Sequence, residues 1–599
     1  MKVLVIMLLV SICINAQQTD LLINVDNRNA VSLNGNWQII IDPYENGYYN
    51  YRYMPNSNGY FINRKPQNKS ELIEYDFDTS PELTVPGDWN SQMAELLFYE
   101  GTVWYKKSFN FNRNIRKRVF VYFGAVNYEA IVYLNGVKLG EHVGGFTPFS
   151  FEVTDFLKEG DNFLILKVDN KRKREAVPTV NTDWWNYGGI TRRVLLIEVP
   201  NTFIKDYFIQ LERGSLNIVT GWIQLNGLSL EQTVLINIPE GGVAYPVSTN
   251  DNGFAKFRFE ANPDLWSPDN PYLYDVEMVS ETDTLIDRIG FRSLDTDNTE
   301  ILLNGKQIFL RGISIHEQAP MREGRAFSSA DALVLLNWAK ELGCNFVRLA
   351  HYPHNEFIIR EADKMGIMVW SEIPVYWTIL WDNTETYKNA VDQLTDMVNR
   401  DKNRASVIMW SVANETPRGD DRLNFLTSLI NITRELDPTR LVTAATELKI
   451  DGNKIIVNDS LCDYLDVLGA NLYYGWYVGK PKDTPGLRWY SKFGKPLVIS
   501  EFGGGAKYGY HGDEDTRWTE EYQAAIYRYH VDMLNKIPFL RGMSPWILTD
   551  FRSPRRPLPK IQDFWNRKGL ISEKGDKKMA FYVLQSYYLD MVKNSVSKK

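Results

Sequence analysis

The chain has 599 residues and a mass of 69.3 kDa, which at roughly 100–200 residues per domain predicts about three to five domains. With 44% hydrophobic and 24% charged residues it is neither disordered, collagenous nor a coiled coil. The 67 Lys and Arg against 74 Asp and Glu give a net charge of −7, which argues against a general polyanion binder, since nucleic-acid domains carry a basic face; no nucleic-acid partner is expected, while a local cationic pocket stays open.

Lys2, the apolar run 3–14 and the small residue Ala16 predict a signal peptide over 1–16, cleaved after Ala16. Twelve apolar residues are too few to span a bilayer, and no later stretch is long and apolar enough, so an exported, periplasmic or secreted chain is expected. Cys13 hints at a lipobox, but Ile12 before it fits poorly. After cleavage Cys344 and Cys462 remain; two buried thiols are expected, with a single bridge left open.

Residues 17–200 read as an all-β domain of jelly-roll type. Strand-like runs stand at 119–123, 163–168 and 193–199, and 130–134 and 137–139 flank Asn135-Gly136, a two-residue hairpin signal. Short apolar runs between turn residues continue over 201–295, as at Thr233–Ile238, and predict an immunoglobulin-like sandwich. One more hairpin turns at Asn304-Gly305. Over 296–599 strands then alternate with amphipathic stretches such as 330–342 and 424–436. The eight strand candidates are 307–313, 346–349, 368–371, 407–412, 441–444, 467–472, 497–500 and 542–548. Eight strand–helix units predict a (β/α)8 TIM barrel, with its chemistry at the C-terminal strand ends.

Polar and aromatic residues recur at those ends: His316 after strand 1, Arg348, His351 and His354 around strand 2, Glu372 after strand 3, Asn414 and Glu415 after strand 4, Tyr473 after strand 6, Glu501 after strand 7 and Trp546 on strand 8. Glu415 and Glu501 each follow an apolar strand directly, on strands that lie across the barrel mouth. Two facing carboxyls are what glycosidic cleavage requires, one protonated to help the leaving oxygen depart and one ionised to attack the sugar. Two structural ion pairs are the plainer alternative. The three histidines suggest a metal hydrolase, but His351 and His354 open a loop rather than a zinc-protease helix, and neither a metal nor another cofactor is expected. A sugar-binding protein on this fold would have no need of a like-charge pair.

The segments Trp410-Ser411-Val412-Ala413-Asn414-Glu415-Thr416-Pro417 and Ile499-Ser500-Glu501-Phe502-Gly503 resemble the acid/base and nucleophile motifs of glycoside hydrolase family 2. The resemblance covers nearly the whole chain, since that family orders jelly roll, immunoglobulin-like module and barrel in the same way. It implies a retaining mechanism on a carbohydrate substrate, with Glu415 as acid/base and Glu501 as nucleophile. By the same resemblance Asn414 holds the sugar 2-hydroxyl, Tyr473 orients the nucleophile, His316 lies in the pocket and Trp546 forms a ring wall. Homo-oligomerisation is left open.

The family includes β-galactosidases, β-mannosidases and β-glucuronidases, and substrate charge separates them. A desolvated uronate needs a cation or good donors. Asn566-Arg567-Lys568-Gly569 resembles the Asn-x-Lys element of β-glucuronidases, so Asn566 and Lys568 are expected to hold the carboxylate. The stretch 181–190 resembles a jelly-roll loop that enters the barrel mouth, with Asp183 bonding a sugar hydroxyl, and 471–477, ending in Tyr477, resembles the glucuronidase version of its segment. A β-glucuronidase is the reading; β-galactosidase and β-galacturonidase are the alternatives, because Lys568 does not distinguish two uronic acids. Lys568 can also be read as merely balancing the glutamates. The brief stretch 373–382 predicts an open entrance that admits oligosaccharides of an acidic polysaccharide, and Arg552, Arg555 and Arg556 read either as a solvated basic loop or as contacts to an anionic polymer.

Overall fold

A computed structural model describes residues 21–56, 67–71, 75–114 and 116–596; the expected signal peptide and Cys13 lie outside these. The first domain packs a four-stranded sheet (Asn29–Ser32, Val194–Pro200, Lys117–Phe123, Phe149–Glu152) on a six-stranded one (Glu82–Val85, Gly35–Ile41, Thr102–Phe111, Gly160–Asp169, Glu129–Leu134, Val137–Val143). Every strand pair is antiparallel, and Trp37, Trp89, Phe123 and Phe149 fill the space between the sheets. The tight turn at Asn135 and Gly136 takes φ of 51° and 87°, which matches the right-handed twist of the strands it joins.

The second domain is a smaller sandwich of three and four strands. Its strand Ile218–Asn226 (IVTGWIQLN) buries alternate residues, the period of a sheet with one face in a core. Its terminal linker is anchored to the barrel floor: fully buried Arg292 donates to the Ala405 carbonyl at 3.1 Å and the Val407 carbonyl at 2.8 Å.

Eight parallel strands close the third domain: β1 (Leu310–Ile315), β2 (Phe346–Leu349), β3 (Met368–Glu372), β4 (Val407–Asn414), β5 (Leu441–Thr446), β6 (Val467–Asn471), β7 (Leu497–Glu501) and β8 (Leu540–Met543). β8 pairs back onto β1, so the sheet has no edge. Every residue of β2, β3, β4, β5 and β7 is buried, because core lies inside and helices outside. The helix Ser329–Glu341 starts on a capping box between Ser328 and Asp331, a feature worth about 1 kcal/mol.

Four expectations are corrected. β1 starts three residues later than predicted. β8 ends at Met543, because Pro545 carries no N–H for a further ladder bond. Trp546 therefore stands in the loop beyond β8. Two of the eight strand–helix units lack an α-helix: a small sheet (Lys449–Asp451, Lys454–Val457, Arg488–Ser491) and 3-10 turns follow β5 and β6, where glycines and Pro481 and Pro485 break helical periodicity. Cys344 and Cys462 are both buried and free, as expected for two thiols.

The jelly roll is bolted to the barrel near its mouth. Arg192, 2% exposed, donates to both Glu317 carboxylate oxygens (3.1 and 3.2 Å) and to the Pro353 carbonyl (2.7 Å). A buried ion pair of this kind resists separation, since losing one partner leaves a stranded charge.

Candidate active site

β4 bulges at its end, where its register with β5 slips between Ser411 and Asn414. Glu415 follows with φ of +50°, and Trp377, in the loop after β3, has φ of +55°. A side chain in this left-handed region costs about 1–3 kcal/mol and persists only where neighbours over-determine it. Here the Glu415 N–H donates to Ala445, Asn414 to Val375 and Trp377 to Asn414, each at 2.9 Å. The two strained residues meet side chain to side chain, with the Trp377 indole donating to Glu415 Oε2 at 2.9 Å.

Glu501 ends β7 and is 3% exposed. Its Oε1 accepts from Arg348 (2.7 Å) and its Oε2 from the Tyr473 hydroxyl (2.6 Å), while His351 stands 3.7 Å off. Burial pushes the Glu501 carboxyl above its ordinary range; Arg348 pulls it back and the Glu415 charge raises it again. Both glutamates also act on two phenols: burial, then Asp183, Glu415 and Glu501 drive Tyr376 well above its ordinary value, and burial, then Glu501 and Glu415 do the same to Tyr473. The two carboxyls therefore share one site. Because an attacking carboxylate must be ionised, the acid limb of log kcat/KM against pH is expected above the ordinary glutamate value of about 4.3. A limb at or below that value, followed in a thermally checked pH series, would contradict the assignment.

Arg348 organises the floor. It is fully buried, grips Glu372 with two nitrogens (3.1 and 3.0 Å) and donates to Asn414 Oδ1 at 2.7 Å. Asn471 also donates to that oxygen (3.3 Å), which leaves Asn414 Nδ2 buried without a partner, a donor aimed at whatever fills the pocket. His316 Nε2 is likewise buried and unpartnered, and burial and the neighbouring histidines hold its ring well below 6.5, in the neutral form. Trp546 stacks on His351 with centroids 4.8 Å apart and planes 19° off parallel. His351 is engaged by Glu372 (2.7 Å) and His354 by the Ala350 carbonyl (2.9 Å). Among the described residues no group of three His, Cys, Asp or Glu is placed to hold a metal.

On the side of the site next to Tyr473, Lys568 is 4% exposed, donates to the Tyr477 hydroxyl at 2.8 Å and lies 5.0 and 4.9 Å from the Tyr473 and Tyr477 ring centres. It has no carboxylate partner among the described residues. The charge of Glu501 is balanced by Arg348 instead. Burial raises the Tyr477 phenol, but Lys568 and Arg556 together bring it below its usual value. Asn566 orients this corner: its Oδ1 accepts from the Lys568 N–H and its Nδ2 donates to Asp183, both at 3.2 Å.

Asp183 does come from the jelly roll into the mouth, yet its carboxylate is taken up by protein. Ser553 (2.6 Å), Arg556 and Asn566 all donate to it. It clamps the loop after β8. Of the three arginines there, Arg552 pairs with Glu323 at 2.6 Å and Arg556 with Asp183, and only Arg555 is exposed. Arg348, Glu372 and Trp377 received no role from the sequence. A charged residue inside an otherwise apolar barrel strand, as in Phe346–Leu349, is the signal that could have drawn attention to Arg348. A cleft of about 640 Å3 opens beside Glu415, lined by Trp377, Asn181, Asn471, Tyr473 and Tyr477 among others.

A closed barrel that sets Glu415 on a sugar-sized cleft, with Glu501 bonded to the cleft residue Tyr473, behind two β-sandwiches, defines a glycoside hydrolase. The chain belongs to the glycosyl hydrolases family 2: the family models for the sugar binding domain, the central family 2 domain and the TIM barrel domain match residues 30–200, 202–292 and 294–592. A relative from Formosa agariphila is 30% identical over 562 residues, which are 84% of this chain and 66% of the relative, so the chain spans just under two thirds of that protein. A β-glucuronidase of Paenibacillus borealis is 29% identical over 565 residues, 86% of this chain and 92% of that one. Among solved structures, the β-D-glucuronidase of Dictyoglomus thermophilum superposes with a TM-score of 0.77 at 26% identity, over 94% of this chain and 97% of that one. A family 2 β-galacturonidase from Eisenbergiella tayi, bound to galacturonate, reaches 0.77 at 24% identity over 94% and 98%, which shows the shared fold.

Proposed function

We propose that the chain is an exported, retaining β-glucuronidase that removes β-linked glucuronic acid from the non-reducing ends of oligosaccharides. The observation that carries the uronic-acid assignment is Lys568, a buried ammonium held by a tyrosine hydroxyl and facing no carboxylate among the described residues. A buried cation is stable chiefly when an anion completes it, and a sugar carboxylate is of the right charge and size. In the proposed reaction the ionised Glu501 attacks the anomeric carbon as Glu415 gives its proton to the glycosidic oxygen, and the carbon–oxygen bond breaks. Arg348 and Tyr473 hold the nucleophile, and the unpartnered Asn414 Nδ2 meets the 2-hydroxyl. A water that loses its proton to Glu415 then releases the sugar with retained configuration. The loop between β3 and the helix Thr384–Asp401 is only eleven residues, 373–383, which supports an entrance wide enough for oligosaccharides.

A panel of 4-nitrophenyl β-glucuronide, β-galacturonide, β-galactoside and β-mannoside tests this reading. The glucuronide is expected to lead the neutral sugars by roughly 100-fold or more in kcat/KM, since leaving a site's buried polar group unpaired discriminates strongly. Preference for a neutral sugar would overturn the role of Lys568. Preference for the galacturonide would keep Lys568 and change the sugar, which its charge does not tell apart.

A further inference from the structure

We propose that Arg555 and Trp377 form a leaving-group subsite that recognises an anionic substituent, carboxylate or sulfate, on the sugar released from the substrate. This rests on the assignment of Glu415 as the proton donor. The donor stands on the leaving-group side, so whatever stacks beyond it meets the departing sugar. Trp377 is the group bonded to Glu415, at 2.9 Å. The Arg555 guanidinium lies over the face of that indole, 5.1 Å from the ring centre. A second tether comes from the jelly roll, where the side chain of Asn181, another cleft residue, accepts from Arg555.

Arg555 differs from its neighbours in what it leaves unsatisfied. Arg552 and Arg556 face Glu323 and Asp183, whereas Arg555 is exposed and faces no carboxylate among the described residues. One asparagine oxygen uses a single donor of the five a guanidinium offers, so a fork remains for a planar or tetrahedral oxyanion. Stacking on Trp377 and the Asn181 bond fix its orientation, which limits the entropy lost on binding. Consecutive arginines thus serve opposite ends of one cleft: Arg556 braces the Tyr477 and Lys568 corner, and Arg555 overlooks the leaving group.

The test compares disaccharides that carry the same terminal uronic acid β-linked to a neutral sugar, to a sugar with a carboxylate, or to a sugar with a sulfate ester. Wild type is expected to favour a charged leaving sugar over the neutral one by roughly tenfold in kcat/KM, the scale of one charge-assisted hydrogen bond. Arg555→Gln should bring that ratio close to one, and Arg555→Lys should retain part of it. The carboxylate and sulfate arms identify the anion. A ratio that Arg555→Gln leaves unmoved, or equal losses on neutral and charged substrates, would overturn the subsite. Should the chromogenic panel select another terminal sugar, the same ratio is measured on that sugar, so the two readings fail separately.

Discussion

Glu501→Gln is expected to lower kcat by at least about 10^4-fold on every glycoside the protein turns over, because an amide does not form the glycosyl ester. The variant is nearly isosteric. Arg348 keeps both contacts to Glu372 and donates to the amide oxygen, and the Tyr473 hydroxyl turns to accept from the amide NH2, so circular dichroism and the thermal midpoint should stay close to wild type. Glu501→Ala with added azide extends the test. Azide fits the vacated space and attacks from the face the carboxylate used, so turnover should recover and give the α-glycosyl azide. Glu415→Ala with azide should give the β-azide instead, since azide then opens an intact glycosyl-enzyme. Identical azide anomers from the two variants, or substantial activity of a contamination-free Glu501→Gln preparation, would reject the division of roles.

Lys568→Met is expected to lower kcat/KM on glucuronides by roughly 100-fold, within the 2–5 kcal/mol lost when one partner of a buried charge pair is removed. Any galactoside side activity should change by far less. The thermal midpoint should hold or rise, because methionine fills similar space and the free protein no longer buries an unpaired ammonium. A falling midpoint with equal losses on charged and neutral glycosides would mean that Lys568 supports the fold and not the substrate.

The barrel was legible because its strands are apolar runs broken by helical periodicity, and Glu415 and Glu501 were legible because each run ends on a carboxylate. Where the pattern was weaker, tertiary context decided. Pro545 ended β8 inside an apolar run, and Gly- and Pro-containing stretches replaced two helices. Asn566 and Lys568 were visible only through resemblance, since nothing in a tripeptide shows that its lysine is buried without an anion. Partners distant in the chain were the least accessible. That Trp377 meets Glu415, that Arg348 ties Glu501 to Glu372 and Asn414, and that Asp183 clamps a loop are pairings made by barrel closure, and no local spacing encodes them.

The Asn566–Asp183 bond joins residues 383 positions apart, across two domains. During synthesis the jelly roll can be complete while its acidic side chain still waits for a segment near the far terminus. Contacts of such separation form late. On the proposed assignment, the corner that would hold the sugar carboxylate is assembled only once the segment after β8 has been made. An isolated barrel, or a chimera with another enzyme's jelly roll, would keep its pair of glutamates yet lose the brace behind Arg556 and Asn566.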